Sequence, residues 1–262
     1  MPCAAFTPAR FRAGVVAGGL ALALGAPAPA AHANFLTFFG EDLNNSATVP
    51  LAAFPNSIAA ETDFLSNLVG VGTEDFESFA TGTGEPLGLT FPGAGAATLS
   101  GGGGEIETVT PGTTNGFGRY ATSGSNYWEV EAGGANNFVV DFDAPVAAFG
   151  FFGVDIGDFG GQLELELTNG VMETLTVPNT LGSGGSTDGS VLFFGAIATN
   201  SAHDFTSVAF LTESGSGDVF AFDDFTVGSR EQVQVPEPAT LALVGAGLAG
   251  VGFAARRRRK AA

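Results

Sequence analysis

Cysteine, lysine, histidine, tryptophan and tyrosine are almost missing from this chain. Of 262 residues one is cysteine (Cys3), one lysine (Lys260) and one tryptophan (Trp128), with two histidines and two tyrosines. A lone cysteine excludes a disulfide-stapled scaffold, which needs pairs. So few histidines and cysteines also leave too few ligands for a zinc centre of the usual type. Cations are nearly absent from the middle of the chain. Between Asn34 and Val235 stand two arginines, Arg119 and Arg230, against 26 acids, a net charge of −24 inside a chain whose total is −18. A body of that charge is not a nucleic-acid binder, because a phosphate backbone selects basic surfaces.

What is abundant is glycine, at 40 residues, and phenylalanine, at 25. Each glycine inside a helix costs roughly 0.5–1 kcal/mol relative to alanine, so this composition disfavours an all-helical protein. Short strands joined by glycine turns fit it better.

The basic residues missing from the middle sit at the ends. Arg10 and Arg12 precede an apolar run from Ala13 to Ala26, then Pro27 and Pro29, then Ala31-His32-Ala33. That order reads as a secretory leader, and the small residues at 31 and 33 predict cleavage by signal peptidase after Ala33; a buried or membrane helix is the alternative, though the run is shorter than the ~20 residues that cross a bilayer. At the other end come Pro236-Glu237-Pro238, an apolar run from Ala239 to Ala255, and Arg256-Arg257-Arg258-Arg259-Lys260. The apolar run spans about 25 Å as a helix, close to a ~30 Å hydrocarbon core, and the basic cluster should stay cytoplasmic. The reading is therefore a leader at 1–33, a lead-in at 34–72, a β-domain at 73–229, a linker at 230–235 and an anchor at 236–262.

The three-part C-terminus resembles the PEP-CTERM sorting segments of Gram-negative bacteria. The resemblance implies recognition by an exosortase, a membrane-embedded protease. The segment would anchor the protein transiently as a single transmembrane helix, and its removal would release the protein to the cell surface or a biofilm exopolysaccharide matrix. A plain C-terminal anchor is the alternative.

In the lead-in, Asn56 and Ser57 are good N-caps, and Ile58, Phe64, Leu65 and Leu68 recur at near-helical spacing before Gly70. They predict one helix from Ser57 to Val69. From Glu74 onward the period becomes two. Leu163 to Leu167 alternates leucine with glutamate, Asn169-Gly170 follows, and Val171 to Val177 alternates again, which predicts a tight hairpin. Further strands are predicted at Asp75–Phe79, Leu87–Phe91, Ala97–Leu99, Tyr127–Glu131, Asn137–Phe142, Ala147–Val154, Ser190–Ala198, Phe205–Leu211 and Val219–Val227. Short strands bounded by Gly, Asn and Ser predict an all-β, jelly-roll-like two-sheet sandwich with a phenylalanine core.

Asp75-Phe76-Glu77-Ser78-Phe79 near the start of the sandwich and Phe220-Ala221-Phe222-Asp223-Asp224-Phe225 at its end make the body similar to carbohydrate-binding-module and galactose-binding-like jelly rolls. That resemblance implies a structural calcium held by Glu77 and Asp223, with Asp224 and Asp75 as further ligands; the alternative is that all four are solvated acids. Tyr120, Tyr127 and Trp128 cluster near Arg119 and Asn126. They read either as a glycan platform, since sugars pack on Tyr and Trp faces, or as aromatics half inside a strand pair.

Catalysis finds little support. Once the leader is gone no cysteine remains, and His203, the one histidine left, reads as a turn residue. A glycosidase needs two carboxylates at a set separation, which sequence does not supply. The glycine runs at 101–104 and 182–185 lack the strand-to-helix setting of a phosphate cradle. The expectation is an exported, non-catalytic surface or matrix protein; the alternative is a glycan-binding module and the distant one a polysaccharide hydrolase.

Overall fold

The computed structural model describes residues 30–32, 34–133, 138–157, 162–168, 170, 172–182, 187–212 and 217–234. The predicted leader apart from 30–32, the predicted anchor, Asn169 and most of the second glycine run lie outside them. No helix among the described residues is long and apolar enough to cross a membrane. In chain order the elements are β1 (Ala30–His32), β2 (Phe35–Asp42), α1 (Pro55–Leu65), β3 (Gly72–Glu74), β4 (Leu87–Phe91), β5 (Gly95–Ser100) and β6 (Glu105–Thr108). Then follow β7 (Asn126–Ala132), β8 (Phe138–Val146), β9 (Ala148–Val154), β10 (Leu163–Thr168), β11 (Met172–Thr176), β12 (Val191–Ala198), β13 (Phe205–Thr212) and β14 (Asp218–Gly228).

These strands pair antiparallel into two sheets, the expected jelly-roll-like sandwich. One sheet runs β1-β2-β12-β9-β14-β7-β6, with β3 also on β14; the other runs β11-β10-β13-β8-β5-β4. The predicted hairpin forms with Glu164 opposite Thr176 and Thr168 opposite Met172.

Side-chain alternation explains why the two sheets differ. Along β10 the leucines at 163, 165 and 167 are buried while Glu164 and Glu166 reach solvent, so the six-stranded sheet has one wet face. Along β9 and β12 every residue is buried, which requires the larger sheet to be covered on both sides. Its inner face meets the smaller sheet through rings such as Phe138, Phe210 and Phe222, with Phe138 stacked on Phe210 at 4.7 Å. Each such buried ring contributes roughly 1.5–3 kcal/mol.

Its outer face is covered by α1. Gly150 of β9 and Gly195 of β12 lie opposite each other, and the Phe64 ring sits over them. A Cβ at Gly195 would stand 2.6 Å from the Phe64 ring, and one at Gly150 2.8 Å. The paired glycines thus form a notch for Phe64, whose ring also meets Phe193 at 5.6 Å and Phe38 at 5.7 Å.

Several local expectations are corrected. The helix runs from Pro55 to Leu65 and not from Ser57 to Val69, and its start is not capped by Asn56 or Ser57. Asp42, at the end of β2, supplies the acceptor. Its carboxylate takes the Ser57 backbone N–H at 2.9 Å, the Ser57 hydroxyl at 2.9 Å and the Asn56 N–H at 3.3 Å. A carboxylate there also offsets the positive end of the helix dipole. Ile58, expected on the apolar stripe, is exposed, because the face that meets the sheet is Ser57, Ala60 and Phe64.

The lead-in also contains β2, which hydrogen-bonds along its whole length to β12 and so belongs to the sandwich. Asp75–Phe79 is a bend, not a strand. Phe76, at φ 57°, turns its ring into the core against Phe225, 5.5 Å away. Residues 230–234, read as the start of a linker, are docked. Arg230 bonds the carbonyls of Ala198 and Asn200 and pairs with Asp204, and the Gln234 N–H reaches the Asn67 carbonyl at 2.7 Å.

Candidate functional site

A break in β14 brings the predicted acids together. Against β9 its register shifts between Asp223 and Thr226, and Asp224 adopts φ 50°. This bulge leaves Asp223 fully buried and aims both aspartates at the segment 122–126. Asp223 Oδ2 accepts from the Thr122 N–H at 2.8 Å, the Thr122 hydroxyl at 3.0 Å and the Ser123 N–H at 3.0 Å. Asp223 Oδ1 takes the Asp224 N–H at 2.8 Å. Asp224 accepts from the Ser123 hydroxyl at 2.9 Å and the Thr122 hydroxyl at 3.1 Å.

Glu77 grips the same segment from the other side. Its Oε1 takes the N–H groups of Ser125 and Asn126, both at 2.6 Å. Asn126 answers by donating its amide to the carbonyls of Phe76 and Phe79, and Asp75 accepts from the Glu77 N–H at 3.2 Å. The acids at the two ends of the domain thus close around one loop through backbone amides.

Among the described residues no cation neutralises this group. Arg119 is committed elsewhere, to Glu129 at 2.8 Å and to Asp155 at 3.4 Å. Burial, then the charge of Asp224, pushes the Asp223 carboxyl well above the usual carboxylate range. Asp224 is raised by burial first and then by Asp75 and Glu77. Glu61 on α1 and Glu74 on β3 are raised by burial and by the neighbouring charges of Asp224 and Asp75 respectively.

Calcium requires six to eight converging oxygens. Among the described residues no three acidic, histidine or cysteine side chains converge as a metal site would. Asp223 has given both its oxygens, and Glu77 one of its two, to N–H and O–H donors. The arrangement does not fit calcium; amide donors do here what the metal was expected to do, joining the two acidic segments. Excess calcium, or EDTA after it, is expected to leave the melting temperature of the protein unchanged. A rise with calcium that EDTA reverses would overturn this.

The predicted glycan contacts are also corrected. Tyr127 and Trp128 are 0% exposed and Tyr120 is 4% exposed. Consecutive strand residues point to opposite faces. In a sheet covered on both sides, Tyr127 goes under the outer layer and Trp128 into the inner core, so neither offers a face to a sugar. The Tyr120 hydroxyl donates to the Gly189 carbonyl at 2.9 Å and accepts from the Leu51 N–H at 3.1 Å; burial pushes its pKa up to about 12.

His203 closes a single 3-10 turn, Ser201–His203. Its Nδ1 lies 2.7 Å from Glu173, which also accepts from Asn34. That ties Asn34 and the 201–203 turn to β11.

One surface residue escaped notice. Phe117 is 68% exposed, and its place between two loop glycines was the available signal.

The family of the PEP-CTERM protein-sorting motif matches residues 234–259. Among solved structures, the chain is similar to the xylan-binding domain from CBM 22, at 15% identity over 62% of this chain and 96% of that one, with a TM-score of 0.36. It is also similar to the K2 cleaved adhesin domain of Lys-gingipain, at 17% identity over 60% and 97%, with a TM-score of 0.35. The CBM22-1 xylan-binding domain from Paenibacillus barcinonensis Xyn10C gives 12% identity over 64% and 98%, with a TM-score of 0.35. No curated protein matches. The chain is a two-sheet β-sandwich protein. It carries a C-terminal PEP-CTERM sorting motif.

Proposed function

We propose that this is an exported, non-catalytic β-sandwich. An exosortase cuts its C-terminal segment, and it works at the cell surface or in an exopolysaccharide matrix. One observation carries the reading. The sorting motif begins at Gln234, the last described residue, which is tied to the folded body through the Asn67 carbonyl. Every described strand and core residue lies before Pro236, so removing the segment from there onward leaves all of them in place. Anchoring by the 239–255 run and removal of the leader by signal peptidase belong to the same proposal.

The acidity of the body suits a hydrated polymer setting. Both arginines between 34 and 235 are held in ion pairs, which leaves that surface nothing with which to grip a polyanion directly. Alanine at Pro236, Glu237 and Pro238 together is expected to leave the tail attached, so that mass spectrometry of the envelope fraction finds the longer form. The same mature mass as the parent protein would refute the processing step.

A second reading, glycan binding, is favoured by the solvent-facing ring of Phe117, which a stiff loop displays.

A further inference from the structure

Of the seven large apolar side chains that face solvent among the described residues, three, Leu43, Val49 and Phe117, lie on two adjoining segments. The segments are joined where Ala47 accepts the Gly118 N–H at 2.8 Å and the Thr114 hydroxyl at 2.6 Å. Phe117 is the one aromatic in that exposed set, and its loop is built around it. Asn115 Oδ1 accepts from the Phe117 N–H at 2.9 Å and from the Arg119 N–H at 3.3 Å, while the Asn115 N–H donates to the Arg119 carbonyl at 2.9 Å. The Asn115 amide is in turn fastened to Glu129 at 2.8 Å. Gly118 has φ 91°, and a Cβ there would strike the Asp155 carboxylate. The guanidinium of Arg119 lies 5.6 Å from the Phe117 ring centre, so a cation backs the ring.

An exposed ring on a loop tied at this many points has little motion left to lose when a ligand arrives. The neighbouring exposed polar residues, Asn45, Thr48 and Thr113, are neutral amides and hydroxyls in a body otherwise rich in carboxylates. A flat apolar face with neutral hydrogen-bonding groups beside it matches a pyranose, which has C–H faces and hydroxyl edges. A lipid headgroup would call for free lysine or arginine, and the acidic body repels anionic polymers.

We propose that Phe117, with the 43–49 segment beside it, is the stacking site for a neutral polysaccharide. This rests on the glycan-binding reading and replaces Tyr127 and Trp128 as its contact residues. The test is native affinity electrophoresis of the purified full-length protein in mild detergent. The gels contain hydroxyethyl cellulose, mixed-linkage β-glucan, galactomannan or, as the polyanion, alginate. Retardation is expected in at least one neutral gel. Phe117→Ala should weaken it by roughly tenfold or more, and Phe117→Trp should keep it. The Ala variant should retain the parental melting temperature, because the side chain is exposed. Absence of retardation in every neutral gel, retardation confined to alginate, or equal retardation of Phe117→Ala and parent would each overturn the proposal. So would a change in sedimentation coefficient with Phe117→Ala, which would make the patch a contact between copies of the chain. The processing step is read from the mature mass instead, so the two ideas fail separately.

Discussion

Phe64→Ala is expected to destabilise the domain by about 3–5 kcal/mol, the usual cost of removing a fully buried phenylalanine. Gly150 and Gly195 leave the floor of the notch without side chains, and Phe38 and Phe193 form walls 5.7 and 5.6 Å away between ring centres. Collapse of the cavity would require two sheet strands to move toward the helix, which their pairing on both sides opposes. Denaturant melts of the parent and Phe64→Ala proteins measure this. A loss under about 1 kcal/mol would show that α1 does not seal the outer face.

Asp223→Ala should cost a similar amount, on the order of 3–5 kcal/mol, because it strands buried donors. The N–H groups of Thr122, Ser123 and Asp224 all lose this acceptor at once, and the Thr122 hydroxyl is left with Asp224 alone. Asp223→Asn is not a safe substitute, since its amide nitrogen would face N–H groups.

The same cluster sets an unusual pH dependence. Asp223, Asp224, Glu61 and Glu74 all have folded-state pKa values raised above their ordinary values. The folded state therefore holds protons more tightly than the unfolded chain. The stabilisation is fullest below the ordinary carboxylate pKa and is lost as pH rises through the raised values. The melting temperature should consequently be higher at mildly acidic pH than near neutrality, and the difference should shrink in Asp224→Asn. A melting temperature that falls steadily on acidification of the parent protein would contradict this.

How much of this was legible depends on the range of the forces involved. The leucine–glutamate alternation of 163–167 declared a half-buried strand, since period two needs only the residues themselves. The all-apolar stretches at 148–154 and 191–198 declared strands too, but not what covers their second face. Nothing local marks Gly150 and Gly195 as partners, or ties them to a phenylalanine on the helix. Asp42 as the helix cap was equally hidden, because the cap lies fifteen residues before Ser57 and reaches it only through the turn between β2 and α1. Glu77 and Asp223 were singled out by their neighbours' identities, and the fold does place them on one loop; their partners proved to be the amides of 122–126.

The amino-acid sequence by itself determined the sorting motif, the acidity of the body and the two-sheet class, since each depends on composition, order or short periodicity. Only the tertiary structure decided which aromatics see solvent. Tyr127 and Trp128 vanish because α1 and the 109–125 segment close over a sheet already packed on its other side, while Phe117 stays out because hydrogen bonds from distant segments hold its loop away from the core. For these aromatics burial depends on what arrives from elsewhere in the chain, and their local pattern does not encode it.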